Sequence, residues 1–271
     1  MRTEYTRLWL YYLPSSESVH LLIAGSTIDP ASRLMMQAVR SQLFTRPAST
    51  FGIELVEIAT ELTSSSVPPL PEAETYIFLS RHKGMKPCFT LHATGNPTSR
   101  NDLGGKPREL GIAAPSLALQ ILRELSKEPI MPVVHEATHH GPTSLAGRAL
   151  FVEVGSGEEQ WSSKPLCEYA ARSVVNAITS SYSGVSYACA FGGPHYASKF
   201  TEYAMLHSTG LGHIISKHAF KDINAEVILQ AIERSLPKPD KALVDWKGLT
   251  SDQRNFLLRE FSRLGFPYER I

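Results

Sequence analysis

Short apolar runs alternate with amphipathic stretches along most of the chain. "VHLLIAG" (residues 19–25) is apolar almost throughout and suits a strand covered on both faces. Asp29 followed by Pro30 is a helix start, an N-cap residue ahead of a first-turn proline. Leu34, Met35, Ala38 and Leu43 then turn toward a core. "IELVEIA" (53–59) alternates as a half-covered strand would, and "SSSVPPLP" (64–71) reads as a loop. "TYIFLSRH" (75–82) and "CFTLHAT" (88–94) are two further strands, followed by a long polar loop at 95–107. A helix is expected over 115–127, strands over "PVVHEATHH" (132–140) and "ALFVEVG" (149–155), and a helix over 165–179. In that last helix Leu166, Ala170, Val174 and Ala177 recur at helical spacing. Strands at "VSYACAFGG" (185–193) and "GHIISK" (212–217) precede a helix over 224–235. "TSDQ" (250–253) has capping-box spacing and opens a last helix running to about residue 263.

Strands alternating with helices predict an α/β fold with a mixed, largely parallel central sheet flanked by helices. No internal repeat and no linker divides the chain, so a single domain over 1–271 is expected, with 1–18 as an N-terminal extension. At 271 residues, 42% hydrophobic and 20% charged, the composition is that of an ordinary globular protein. A net charge of +1 gives no global attraction to nucleic acid or membrane, so any polyanion must meet a local patch. Cys88, Cys167 and Cys189 are widely spaced, which argues against a disulfide framework and a thiolate zinc site. "LWLYYL" (8–13) is shorter than the apolar region of a signal peptide and reads as a buried strand or docked arm. No window approaches the roughly 18 apolar residues of a membrane span. A cytoplasmic protein with no membrane partner is expected.

The histidines change the picture. His135, His139 and His140 fall within six positions, just ahead of a Gly-Pro turn. Either this is a strand end facing water or it is the rim of an active site. His82, His92, His139, His140 and His195 each follow an apolar strand-like run, and in open α/β sheets ligands gather beyond the carboxyl ends of strands. On a continuing strand, His139 and His140 diverge; a turn at Gly141-Pro142 lets them converge. Glu136 is close enough to orient either ring. His20 reads as structural, and Glu153 either as a buried acid held by backbone N–H groups or as part of the site. "GSGEEQW" (155–161) reads as a helix N-terminus suited to an anion. It is not a P-loop, and neither GxGxxG nor GxSxG occurs where a nicotinamide enzyme or an α/β-hydrolase would need it.

"THHGPTSLAGRALFVEVGSGEEQW" (138–161) and "FGGPHYASKFTEYAM" (191–205) closely resemble the D-aminoacyl-tRNA deacylases of the archaeal and plant type, also called D-tyrosyl-tRNA deacylases. "IDPASRLM" (28–35), "IFLSRHKG" (77–84) and "FTLHATGN" (89–96) support the resemblance, which spreads from about residue 28 to 218. It implies hydrolysis of the ester joining a D-amino acid to the terminal ribose of tRNA, releasing both. It also implies zinc dependence and a fold similar to that of nucleoside phosphorylases and peptidyl-tRNA hydrolases.

Imidazoles and carboxylates suit zinc, and bound zinc lowers the pKa of water to about 7. His139, His140 and His195 are therefore expected as metal ligands or general base. Glu136 and Glu153 would orient them or take a proton, and Thr143 would hydrogen-bond the substrate. His82, His92, His207 and His213 stand in reserve. The acceptor end of tRNA calls for a basic rim, for which Arg81, Lys83, Lys86, Arg100, Lys106 and Arg108 are candidates. Asn96 and Tyr196 are further substrate-binding candidates, with Tyr196 or Phe200 stacking on the terminal adenine. Neither DNA binding nor oligomerisation is expected. Alanine at His139 or His140, taken as a solvent-facing strand end, should leave stability within about 2 kcal/mol. Two alternatives stay open: a zinc-dependent hydrolase or phosphorylase of a nucleoside or small ester, and a non-catalytic binder of RNA ends.

Overall fold

The computed structural model describes residues 5–9, 19–44, 52–63, 70–180 and 186–271. In chain order these hold β1 (Tyr5–Trp9), β2 (Val19–Ser26), α1 (Pro30–Phe44), β3 (Ile53–Ile58), β4 (Ala73–Lys83), β5 (Cys88–His92), β6 (Gly95–Asn96), β7 (Glu109–Leu110), β8 (Ile112–Ala113), α2 (Pro115–Leu125), β9 (Val133–His135) and β10 (Arg148–Ser156). They continue with α3 (Glu158–Trp161), α4 (Lys164–Thr179), β11 (Ser186–Phe191), α5 (Ser198–His207), β12 (Thr209–Ile215), α6 (Ala225–Glu233), β13 (Lys241–Val244), α7 (Ser251–Leu264) and β14 (Tyr268–Arg270). The large sheet has the order β1-β3-β2-β4-β10-β5-β9, with β8 beside β10. The β1–β3 and β5–β10 pairs are antiparallel, whereas β3, β2, β4 and β10 run parallel, as do β5 and β9. A second sheet, β12-β11-β13-β14, is wholly parallel. The mixed, largely parallel α/β architecture is thus as expected.

Local chemistry explains most of the element ends. Asp29 accepts the Ser32 N–H at 3.0 Å, Asn224 accepts that of Val227 at 3.1 Å, and Thr250 forms a reciprocal capping box with Gln253. Alternate residues of β2, β3 and β4 enter different clusters. Ile23, Leu55, Ile77 and Leu79 meet α1, while Leu22, Val56, Tyr76 and Phe78 meet Leu62, Leu70 and Leu145 from the loops. The expectation that 53–59 is half covered is thereby corrected: loops cover the face that helices leave, and even Glu54 is buried. One hydrophobic cluster takes Leu79 and Val152 from the large sheet together with Ala190, Ile214 and Leu243 from the smaller one.

Three further expectations change. The strand foreseen over 132–140 stops at His135, because the following backbone groups bond to the second sheet's side: Ala137 N–H donates to His195 O and Thr138 N–H to Ile214 O, both at 2.8 Å. The strand foreseen at 212–217 starts at Thr209, since Ser208 in the left-handed region ends α5 and turns directly into β12. Of "LWLYYL", residues 8–9 end β1, an antiparallel edge strand; residues 10–13 lie outside the described residues, as do 64–69 of the "SSSVPPLP" loop. No helix among the described residues is long and apolar enough to cross a membrane.

Candidate functional site

Sheet register brings the first part of the site together. Glu153 on β10 lies opposite Ser80 of parallel β4 and opposite Thr90 of antiparallel β5. His82 and His92 therefore reach one carboxylate from two sides. His82 Nδ1 stands 3.4 Å from Glu153 Oε2, His92 Nε2 stands 3.9 Å from Oε1, and Thr90 Oγ1 donates to Oε2 at 3.2 Å. Among the described residues, side chains hold Glu153, not the backbone N–H groups that one of the two readings of it supposed. His92 is also deeper than a strand-end residue. Because β5 runs against β10, its last residue sits beside Phe151 with the two rings stacked, and it is 0% exposed.

The stretch after β9 supplies the second part. Its crossing to the smaller sheet pairs Glu136 with Tyr196, while Ala197 N–H donates to His135 O. The chain then turns at His140, whose φ is +46°. That turn makes the neighbouring rings converge: the His139 and His140 centroids are 4.4 Å apart, and His92 lies 4.1 and 4.7 Å from them. His195 joins through His139, at 4.7 Å. It is delivered by Gly192 and Gly193, both with positive φ at the end of β11, where a side chain would be strained.

Hydrogen bonding leaves one side of each ring free. Nδ1 of His92, His139 and His140 donates to the carbonyls of Ala93, Ala137 and Gly141, at 3.2, 2.9 and 2.7 Å. Backbone carbonyls so placed fix the tautomer that presents Nε2 as a ligand. Burial holds His140 down at about 4 and His139 well below the usual range, so both stay neutral as metal binding requires. Burial opposes protonation of His82 too, but contacts with Cys88, Glu153 and Glu136 overcome it and raise it to about 11. Glu153 moves the other way: burial would raise it, but His82 and His92 hold it well below the usual carboxylate range. Ligand atoms of His92, His139 and His140 all lie within 4.8 Å of one another, and so do those of Glu136, His139 and His195 and of His82, Glu136 and Glu153. His92 Nε2 and both Glu136 oxygens are buried without a hydrogen-bond partner; His195 Nε2 approaches Glu136 Oε1 to 2.9 Å without hydrogen-bond alignment. Orphaned polar atoms at such a cluster are costly unless something binds them. The donors are imidazole and carboxylate, so these groups could hold a metal ion.

Glu136, His139, His140, Glu153, His195, Arg81 and Lys83 line one cavity of about 310 Å³, together with His82 and Leu103. Two other expected residues do not line it. The Asn96 amide donates to Gly104 O and Lys106 O, and the buried Thr143 hydroxyl accepts the Lys106 N–H, so both shape the loop over 97–108. Tyr196 Oη lies 2.9 Å from His82 Nε2, while Phe200 is core. His213 is wholly buried and bonds Thr138, and His207 packs on Tyr203 at the end of α5. The helix at "GSGEEQW" has four residues, carries Glu158 and Glu159, and caps itself through Gln160, which removes the anion-site expectation. Sequence reasoning ranked His82 and His92 only as reserves; their strand-end position was the one signal available.

The basic rim is mostly neutralised from within. Arg81 pairs with Glu61 at 2.5 Å, Lys106 with Glu109 at 3.6 Å, Arg100 with Asp102 and Arg108 with Asp222. Among the described residues, no carboxylate pairs with Lys83 or Lys86.

Comparison with known proteins places this geometry. The family described as D-aminoacyl-tRNA deacylase matches residues 70–269. Proteins named D-aminoacyl-tRNA deacylase are similar over most of the chain. That of Aeropyrum pernix is 35% identical, covering 93% of this chain and 100% of its own. That of Methanocaldococcus jannaschii is 34% identical, covering 80% and 90%, and that of Saccharolobus solfataricus 38%, covering 70% and 80%. A solved structure described as a conserved protein of unknown function superposes with a TM-score of 0.82 at 24% identity, over 94% of this chain and 96% of that one, which supports the fold.

Proposed function

The chain belongs to the D-aminoacyl-tRNA deacylase family, and from that premise we propose that it hydrolyses the ester between a D-amino acid and the terminal ribose of tRNA. The observation that carries the reading is the buried trio His92, His139 and His140, each with Nε2 making no hydrogen bond, beside Glu136 in the cavity, whose buried oxygens accept none. We assign these three rings to zinc, which when bound supplies a polarised ester carbonyl and a water of pKa about 7. Glu136 positions His195, the most exposed ring of the cluster, with its side chain 43% exposed. In the reaction the water oxygen adds to the acyl carbon and gives one proton to His195, the acyl–ribose bond breaks, and His195 passes that proton to the departing ribose oxygen. Glu153 holds His82 and His92 in place. Asn96 and Thr143 act through the loop they brace, and Tyr196 through His82. We take 1–271 as one catalytic unit, a reading supported by the hydrophobic cluster common to both larger sheets, and as monomeric and cytoplasmic.

Matched D- and L-tyrosyl-tRNA test the reading. The purified protein is expected to release tyrosine from the D-ester alone; equal release from both, or release from neither, overturns it.

Of the rim, Lys83 and Lys86 are assigned to the acceptor end, because an unpaired ammonium can exchange counterions for phosphate. They flank Gly84, where a Cβ would collide with Tyr196 Oη and His82 Nε2, and Met85, which is 92% exposed. The Lys83→Ala/Lys86→Ala protein is expected to lose about 1.4 to 1.8 from the slope of log KM against log salt. Its rate on a D-tyrosyl ester of adenosine alone should be unchanged. An unaltered slope removes the assignment.

A further inference from the structure

Among the described residues, every side chain lining the cavity is polar except one. Leu103 faces it from the loop over 97–108, and Leu103 is 58% exposed. A lone exposed leucine is ordinary on a protein surface, but this one is held there by construction. Its carbonyl accepts the Gly141 N–H at 3.2 Å, one residue from His140. Asn96 binds the carbonyls of Gly104 and Lys106 at 2.8 and 3.2 Å, and Asn101 binds that of Gly105 at 3.0 Å. Gly104 and Gly105 adopt φ of +80° and +76°. A Cβ on Gly105 would stand 2.7 Å from Thr143 Cγ2, so the loop is pressed flat against the His140 turn. At the loop's far end, Ser99 and Arg108 both bind Asp222. The chain thus spends many polar contacts to keep an apolar side chain in water at the mouth of a polar site.

We propose that Leu103 is a specificity-determining contact for the side chain of the esterified amino acid, favouring large apolar and aromatic D-residues. The assignment rests on the reading of the site as a D-aminoacyl ester hydrolase. Substrate chemistry selects this occupant. The acyl carbon must sit at the histidine cluster, to which Leu103 is joined through Gly141. The amino acid's Cβ lies two bonds from that carbon. The terminal adenine lies beyond the whole ribose. Covering Leu103 with an apolar side chain removes both surfaces from water, a gain that a small or charged residue does not provide.

The test compares kcat/KM for D-phenylalanyl-, D-tyrosyl- and D-alanyl-tRNA in the wild type, Leu103→Ala and Leu103→Met. Leu103→Ala is expected to lose about tenfold on the two aromatic esters, through KM, and less than about twofold on the alanyl ester. Leu103→Met, which keeps the apolar volume, should stay close to the wild type on all three. Equal losses on all three esters would place the contact on the shared adenosine and overturn the assignment, as would no loss on any. A wild type inactive on all three overturns the hydrolase reading and this assignment together, whereas uniform loss from an active wild type overturns the assignment alone.

Discussion

Replacing His139 with alanine is expected to lower turnover of D-tyrosyl-tRNA by about 10²-fold or more, the scale of losing a ligand or a general base. The same variant should purify with less zinc than the wild type. His139 is the hub of the cluster: its ring lies 4.1 Å from His92, 4.4 Å from His140 and 4.7 Å from His195. No other ring of the site touches all three. His140→Ala should match it in turnover and differ in stability. The sequence reading put both rings at a water-facing strand end with little effect on folding. Instead His140 is buried edge-on against Phe151 at 4.8 Å, so its removal leaves a cavity and is expected to cost about 2 kcal/mol or more. His20→Ala is the control, since that exposed ring hydrogen-bonds, among the described residues, only Glu74, at 3.1 Å. Rate per folded molecule, zinc content and urea midpoint on the three variants decide the matter. Near-normal turnover and zinc in His139→Ala would remove it from the site.

The second large effect is on folding. Glu153→Ala should destabilise the protein by about 3–5 kcal/mol, the usual cost of removing one partner from a buried ionic group. Its carboxylate is the counter-charge of His82 and faces His92, all three nearly inaccessible to water. Glu153→Gln keeps the volume and the Thr90 hydrogen bond but not the charge. It is expected to retain most of the loss. A glutamine variant as stable as the wild type would show that packing, not charge, accounts for the position. Urea unfolding gives both numbers.

Much was legible from the chain alone. Apolar periodicity placed α1, α2, α4, α6 and α7 to within a residue or two, because a helix buries one stripe whatever it packs against, whereas α5 was not foreseen. Asp29 and Thr250 cap helices where the sequence put them, since capping involves neighbours three residues away. The "THHGPT" turn and "GGPHY" were recognisable as parts of a family and as candidates for its site. What remained hidden depends on partners distant in sequence. Strand direction does not alter an apolar pattern, so nothing in "FTLHATGN" says that β5 opposes β10 and carries His92 under Glu153, 61 residues on. Charge along the chain does not reveal that Arg81 and Arg108 are already paired with Glu61 and Asp222, leaving Lys83 and Lys86. Local alternation reports which residues share a face; only the assembled sheets decide what that face meets. That is why a loop leucine stands over the site and a histidine expected in water lies beneath it.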